Sequence, residues 1–192
     1  QNWFLMKEGN IMAETKAVSG TPGKYSGKLK RSYLMHYIDA SFGSQTPSWF
    51  LIGRDIEELS MELNPEADSK NILDQTIDNG YAPTLGVETY YADTEDEIFD
   101  KLKDIAMNRL TGENCRTKIL EVLIDNNATI DVSGAVTGAS AWVEDCFVKP
   151  QSYGGAGGNN SGVNIPYNVS LEGNRQKGTV AITNKVPTFT AV

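Results

Sequence analysis

The sequence predicts a mainly β fold, a β-sandwich or barrel of about seven or more strands with one flanking α-helix and extended arms at both ends. Short segments rich in aromatic and β-branched residues recur along the chain and are separated by turn-forming residues. One segment has a helical period. The 192 residues are enough for one domain whose core is stable without disulfides or metals.

Composition and charge limit the function classes. The chain has 17 basic and 25 acidic residues and a net charge of −8. Because gripping nucleic acid requires clustered Lys and Arg, this balance disfavours a nucleic-acid-binding protein, yet it leaves DNA free to pass without being held. The apolar runs are far shorter than the ~20 residues that span a bilayer, so we expect no membrane insertion. They are also too short for a signal-peptide core, and we expect no export signal.

Residues 1–32 are predicted to form an extended, basic amino-terminal arm. Gly, Ser, Thr and Pro recur there without a hydrophobic period. Basic residues outnumber acidic ones in this arm, whereas the rest of the chain is acidic. We expect the arm to lie on a neighbouring acidic body, a flexible tail being the alternative. The candidate contact residues are Lys24, Lys28, Lys30 and Arg31.

The body, residues 33–183, begins with predicted strands at residues 33–39 and 48–53. A further strand is predicted at residues 57–64, where an apolar face alternates with a polar one. The apolar face carries Leu59, Met61 and Leu63, and the polar face carries Glu58, Ser60, Glu62 and Asn64.

Residues 65–83 show no convincing strand or helix period. A loop of this length in a compact domain usually has a function or a partner. Its apolar side chains would be poorly covered unless another chain or a sheet edge receives them. We therefore predict an inter-subunit loop, with Ile72, Leu73, Ile77 and Tyr81 as the candidate contact residues.

A strand is predicted at residues 84–92 and the helix near residues 95–111. Thr94 and Glu97 have the spacing of a capping box, and Gly112 is a natural stop signal. The helix has one apolar stripe, which indicates packing against the sheet. The stripe consists of Ile98, Phe99, Leu102, Ile105, Ala106 and Leu110.

Four further strands are predicted at residues 118–125, 141–149, 164–172 and 177–183. The third alternates strictly between an inward apolar and an outward polar face. The inward set is Ile165, Tyr167, Val169 and Leu171, and the outward set includes Asn168, Ser170 and Glu172. Residues 184–192 are predicted to be an extended tail with little charge.

A search for catalytic chemistry yields no candidate. His36 is the single histidine and lies in a predicted strand without a catalytic motif, so a packed or surface imidazole is favoured. Glu144 and Asp145 are adjacent in a strand and point to opposite faces, so they do not share a substrate. Cys115 and Cys146 have neither zinc-site nor disulfide-framework spacing, and we expect free thiols. We predict a protein that is not an enzyme and has no metal and no cofactor.

Six motifs follow one another along the chain. They are PSWFLIGRDIEELSMELNP at 47–65, KNIL at 70–73, YYAD at 90–93, DIAMNRL at 104–110, SYGG at 152–155 and GNRQKGTV at 173–180. Taken in this order, they resemble the tail tube proteins of long-tailed bacteriophages. The resemblance extends from about residue 33 to residue 180, and its specificity comes from the order of the motifs, since none of them is catalytic.

The resemblance implies a β-sandwich with one flanking helix whose copies form hexameric rings that stack into a hollow tube. Such a tube encloses the tape measure protein, meets tail terminator and baseplate proteins, and conducts double-stranded phage DNA without binding it specifically. It implies a place in the virion tail, with assembly in the host cytoplasm. The alternative class is a non-enzymatic virion decoration protein or an adhesive β-sandwich protein.

If the chain forms such a tube, one of its surfaces must line the channel. A wall rich in Lys or Arg would hold DNA through counterion release, whereas an acidic or neutral wall lets it slide. The outward faces of residues 57–64 and 164–172 carry no basic residue. An ordinary solvated face is the alternative for each. The candidate lumen-facing residues are Glu58, Ser60, Glu62, Asn168, Ser170 and Glu172.

Overall fold

The computed structural model describes residues 27–44, 46–54, 56–157 and 162–192. Among these residues the chain forms eleven β-strands and one α-helix, which confirms the mainly β prediction. Lys24 and most of the predicted amino-terminal arm lie outside the described residues. The elements are β1 (Leu34–Asp39), β2 (Trp49–Ile52), β3 (Met61–Glu62), β4 (Ser69–Lys70), β5 (Thr76–Ile77), β6 (Thr84–Val87), α1 (Phe99–Asn108), β7 (Arg116–Leu123), β8 (Thr129–Ile130), β9 (Val136–Pro150), β10 (Tyr167–Thr183) and β11 (Val186–Ala191).

Nine of these strands form one curled antiparallel sheet in the order β2-β1-β7-β9-β10-β6-β3, with β8 added to β9 and β11 added to β10. The long strands β9 and β10 run side by side through its centre. Along the edge that does not face β9, β10 pairs first with β6 and then, over its last part, with β11. The small hairpin β4–β5 forms a separate sheet.

The curled sheet buries apolar residues on both faces. Tyr37 and Ile38 are consecutive in β1 and both buried, but they belong to different cores. The Ile38 core is covered by the helix through Ile98 and Leu102. The Tyr37 core lies on the other face of the sheet, where Phe189 of β11 packs against it. Because neighbouring residues of a strand point to opposite faces, near-continuous burial is expected where both faces are covered.

The helix is shorter than predicted, and the predicted capping box is wrong. Ile98 occupies the N-cap position without a side-chain capping bond. Asp93 Oδ1 accepts the backbone N–H of Glu95 in a preceding turn, and Glu97 accepts a hydrogen bond from the Ser48 hydroxyl. Glu97, which was expected to close the capping box, is therefore bound to Ser48, the residue before β2. At the other end Arg109 adopts a left-handed conformation, with φ 52° and ψ 45°, and ends the helix before Gly112.

Several strand boundaries also differ from the predicted ones. The strand predicted at residues 57–64 is reduced to the two residues of β3, and Leu63, expected inside, is exposed. The alternation fails because Asn64 adopts a left-handed backbone with φ 45°. The strands predicted at 164–172 and 177–183 are one strand, β10, whose register shifts between residues 171 and 176. Of the predicted inward set, Tyr167 and Val169 of β10 and Ile165 just before it are buried as predicted, and Leu171 is partly buried.

The predicted carboxyl-terminal tail is part of the sheet. Residues 186–191 form β11 and pair along their length with β10. Asn184 and Lys185 form the connecting turn with φ of 51° and 67°, the signs that a two-residue type I′ hairpin requires. The segment is extended as predicted, but it completes one side of the half-barrel instead of leaving the domain.

Candidate functional site and assembly surfaces

The predicted loop at residues 65–83 is a β-hairpin that leaves the main sheet. We call residues 64–82 the projecting hairpin. At its base the Glu66 N–H donates to the Gly80 carbonyl at 2.9 Å, and the Ala82 N–H donates to the Asn64 carbonyl at 3.1 Å. At its tip Asn71 Oδ1 accepts the backbone N–H groups of Leu73 (2.9 Å) and Gln75 (3.0 Å). This Asx-type turn was the available sequence signal for a hairpin.

Nearly every residue of the projecting hairpin is exposed. Ile72 is fully exposed and Leu73 is 70% exposed at the tip, while Ile77 and Tyr81 are exposed along the legs. The sequence-based expectation that these four residues are poorly covered is therefore confirmed for a single chain. Apolar side chains grouped at the tip of an extended hairpin are typical of an interaction surface.

The projecting hairpin is acidic around this apolar tip. Lys70 and Asp74 face each other across the turn, with a 2.7 Å ion pair that leaves the tip itself neutral. The legs add the exposed carboxylates of Glu66, Asp68 and Asp78. A receiving surface for this hairpin therefore needs an apolar centre and cationic side chains at its rim.

Four of the six candidate lumen residues share one face of the sheet. The register places Glu62 opposite Thr84, and Thr84 opposite Ser170. Asn168 lies two residues before Ser170 on β10, so the alternation of the strand brings it to the same face. Glu172 lies at the register shift and reaches this face through its ion pair with Arg116. Glu58 and Ser60 are exposed in the segment before β3 and are not held by a strand.

Basic side chains from neighbouring strands join this face, which reading each strand alone missed. Arg116 of β7 pairs with Glu172, with an Nη2–Oε2 distance of 2.9 Å, and lies over the Phe147 ring. Lys149 stands opposite Asn168 at the edge of this face and also lines the surface at the end of the helix. The face is therefore mixed in charge at the β7–β9 side and becomes acidic and polar toward Glu62.

The candidate arm residues that the structure describes are engaged within the chain. Arg31 donates from Nη1 to the Leu34 carbonyl and from Nη2 to the Leu59 carbonyl, both at 2.6 Å. Lys30 Nζ lies 5.7 Å from the centroid of the Tyr33 ring, and Lys28 is exposed. Arg31 thus fixes the entry to β1 against the segment before β3, a role different from the predicted contact with a neighbour.

A partly buried ionic cluster, which sequence reasoning missed, crosses four strands of the sheet and has an exposed arginine as its cation. It consists of His36 on β1, Glu121 on β7, Glu144 on β9 and Arg175 on β10. Arg175 binds Glu144 at 2.8 Å and also pairs with Glu121, while His36 Nε2 lies 3.4 Å from Glu121 Oε1. The two carboxylates and the imidazole are buried. The register shift in β10 and the left-handed Asn174 aim Arg175 back over the sheet, onto the face of Trp142.

The electrostatics of the ionic cluster favour the charged form of Glu121. Burial alone would raise the pKa of Glu121, but the contacts with His36 and Arg175 outweigh it and hold this pKa below its usual range. Glu144 also accepts the Gly173 N–H at 3.1 Å. The cluster ties four strands together by charge, and its geometry indicates a structural role.

The two cysteines are buried as free thiols. Burial raises the pKa of Cys115, and burial together with nearby carboxylates such as Asp145 raises that of Cys146. A raised thiol pKa lowers the population of the reactive thiolate. Both residues are therefore packing groups of the core and not candidate nucleophiles.

Other site types were sought within the described part of the chain. There, no group of three or more His, Cys, Asp or Glu side chains is arranged to hold a metal ion. No helix in the same residues has the length and apolarity to cross a bilayer. Comparison with known proteins finds no matching family model and no curated protein with a significant sequence match. Function is therefore inferred from this chain's own surfaces and from the motif resemblance.

Proposed function

We propose that this protein is a non-enzymatic structural subunit that polymerises as stacked, hexameric rings into the tail tube of a long-tailed bacteriophage. The observation that carries the proposal is the projecting hairpin, an ordered extension whose apolar tip faces water in the single chain. An isolated subunit gains nothing from such a tip, whereas a repeating assembly buries one in every subunit contact.

The chemistry of the hairpin supports a head-to-tail contact. Its acidic legs and apolar tip do not complement another copy of the same surface, because like charges would face each other. A contact between two different surfaces of one chain is heterologous and generates a ring or an open filament. Stacked rings use both outcomes, one within a ring and one along the tube.

The face formed by β3, β6 and β10 supports the conduit role. Glu62, Asn168 and Ser170 present carboxylate, amide and hydroxyl groups that repel or ignore phosphate. We assign this face to the channel that encloses the tape measure protein and then conducts double-stranded DNA. The ends of the tube would meet the tail terminator and the baseplate proteins, in the virion and, during assembly, in the host cytoplasm.

The decisive experiment shortens the projecting hairpin. The backbone bridge between Pro65 and Tyr81 closes its base, so residues 66–80 can be replaced by a two-residue turn without disturbing the main sheet. The wild-type protein should form uniform tubes with a central channel in negative-stain microscopy, and the shortened protein should remain a folded monomer.

Each outcome decides a separate point. Normal tubes from the shortened protein would refute an interface role for the hairpin. Monodisperse wild-type monomers at every salt and protein concentration would refute the tube itself and favour a discrete decoration or adhesive protein. Circular dichroism of both proteins controls for folding.

A further inference from the structure

A shallow basic dish lies where the helix ends. Its volume is about 300 Å³. Four apolar residues form its floor and two cations stand at its rim. The floor consists of Ile105, Ala106, Leu110 and Pro150, and the rim of Arg109 and Lys149.

The end of the helix shapes the dish. Arg109 holds a left-handed backbone, and the Leu110 N–H donates to the Ile105 carbonyl at 3.0 Å, which folds the chain back over the last turn. This conformation is unfavourable for a residue with a side chain, and Gly would adopt it without strain. Arg at this position therefore gives up backbone stability and places a guanidinium beside an apolar floor.

The charge of the dish has one sign. Within the described residues its lining contains two cations and no carboxylate, and Arg109 has no ion-pair partner there. By contrast, the groove of about 520 Å³ between β2 and β11 is lined by one acid, Glu97, and one base, Lys118, and has no net preference for an acidic partner. An acidic partner with an apolar tip thus matches the dish and not the groove.

The projecting hairpin has the complementary composition. Ile72 and Leu73 supply two exposed aliphatic side chains at the tip, and the legs supply three exposed carboxylates. We propose that the projecting hairpin of one copy docks in the basic dish of a neighbouring copy, with Ile72 and Leu73 on the apolar floor and the acidic legs against Arg109 and Lys149. This inference rests on the proposed self-assembly and names its receiving surface.

The hairpin and the dish are different surfaces, so the contact is heterologous. In an open row of docked copies, one end has a free hairpin and the other end has a free dish. Closure into a ring consumes every hairpin and every dish, so that a complete ring has none left exposed. The dish thus accounts for the burial of the apolar tip without requiring another protein.

The first test reverses charge at the dish. The Arg109→Glu and Lys149→Glu double variant should raise the protein concentration needed for assembly about tenfold or more, because like charges then face the acidic legs. Adding Asp68→Lys and Asp78→Lys on the hairpin should restore assembly. The matched control, Lys101→Glu with Lys177→Glu, makes the same charge change at exposed positions outside the dish.

The second test is a cross-link that does not depend on tubes. Copies carrying Leu73→Cys are mixed with copies carrying Thr111→Cys, which lines the dish, and are oxidised; the natural cysteines are buried. A disulfide-linked dimer from the mixture, above the yield from either variant alone, is expected. Lack of this dimer would overturn the docking proposal.

The two tests separate the proposals. If the cysteine variants form cross-linked dimers but the wild-type protein forms no tubes, docking is supported and the tail tube is refuted. Wild-type tubes together with undiminished assembly of the dish variant would overturn docking alone. If Lys118→Glu abolishes assembly and the dish variant does not, the hairpin binds in the groove between β2 and β11. That result would also overturn the docking proposal.

Discussion

Arg175 binds the buried carboxylate of Glu144 at 2.8 Å from the far side of a β-bulge. The same guanidinium pairs with Glu121, so a single cation serves two buried carboxylates. Removing one partner of a buried ion pair is strongly destabilising because it leaves an uncompensated charge in the interior. The bulge is therefore a positioning device, and its energetic importance can be measured through Arg175.

We predict that Arg175→Met lowers the free energy of unfolding by about 2 kcal/mol at neutral pH, less than for a fully buried pair because the Arg175 side chain is 41% exposed. Methionine keeps much of the side-chain volume over Trp142 but removes the charge. Arg116→Met is the matched control, because Arg116 also lies over an aromatic ring and binds a carboxylate, but Glu172 is partly exposed. The control should cost less than about 1 kcal/mol. Urea unfolding of both variants measures the difference, and equal losses would show that burial is not the cause.

The pH dependence of the same variant gives an independent test. In the wild-type protein the pKa of Glu121 is held below its usual range, so this group adds stability above the usual carboxyl pKa and loses it as pH falls. Arg175→Met removes the part of that contribution that comes from the guanidinium and leaves the His36 contact in place. We expect the gap between the two proteins to narrow from about pH 6 to pH 3. A gap that does not change with pH would indicate lost packing and not lost charge.

Gly178 tests how β11 is seated on the sheet. A Cβ atom at this position would lie 2.5 Å from Phe189 Cε2, so Gly178→Ala forces β11 and Phe189 to shift. We predict a loss of about 1–3 kcal/mol, typical of overpacking. Gly157→Ala is the control, because a Cβ atom there meets open space. Thermal unfolding and proteolysis of the carboxyl-terminal strand measure the effect, and similar behaviour of both variants would mean that β11 tolerates displacement.

The channel assignment predicts a change in DNA transit. Within the proposed tube, Glu58→Lys with Glu62→Lys should leave tube formation largely intact, yet tubes should retain DNA at low salt and deliver it more slowly, because each substitution is multiplied around the ring. Glu88→Lys with Glu95→Lys, two exposed acids elsewhere, is the control. Assembly of the lumen variant with unchanged retention and delivery would show that these residues do not face the channel.

The sequence predicts those parts of the fold that depend on local patterns. Strict alternation identified the inward face of β10, and the apolar stripe identified the helix. The cap failed because Glu97 is engaged by Ser48, a contact between segments far apart in sequence. β11 was missed because its turn uses Asn184 and Lys185 without the glycine that marks the strongest two-residue hairpins.

For the candidate surfaces, the sequence predicted which side chains are exposed but not which charges pair across strands. The exposure of Ile72 and Leu73 followed from the absence of any period in their segment. The joining of Arg116 to Glu172, and of Arg175 to Glu121, follows from strand register alone. Register is set by pairing between distant segments, so no pattern within one strand reveals which charges will meet.

The order of the strands also has a kinetic consequence. β1 pairs with β2 nearby but also with β7, where Tyr37 stands opposite Leu120. Closing so long a loop costs chain entropy before its contacts form, and sheets rich in such distant pairings fold slowly, on the order of milliseconds to seconds. During synthesis the β1–β2 ribbon must wait with one edge open until β7 leaves the ribosome. The newly made chain is therefore most prone to aggregation in that interval, before β7 covers the open edge of β1.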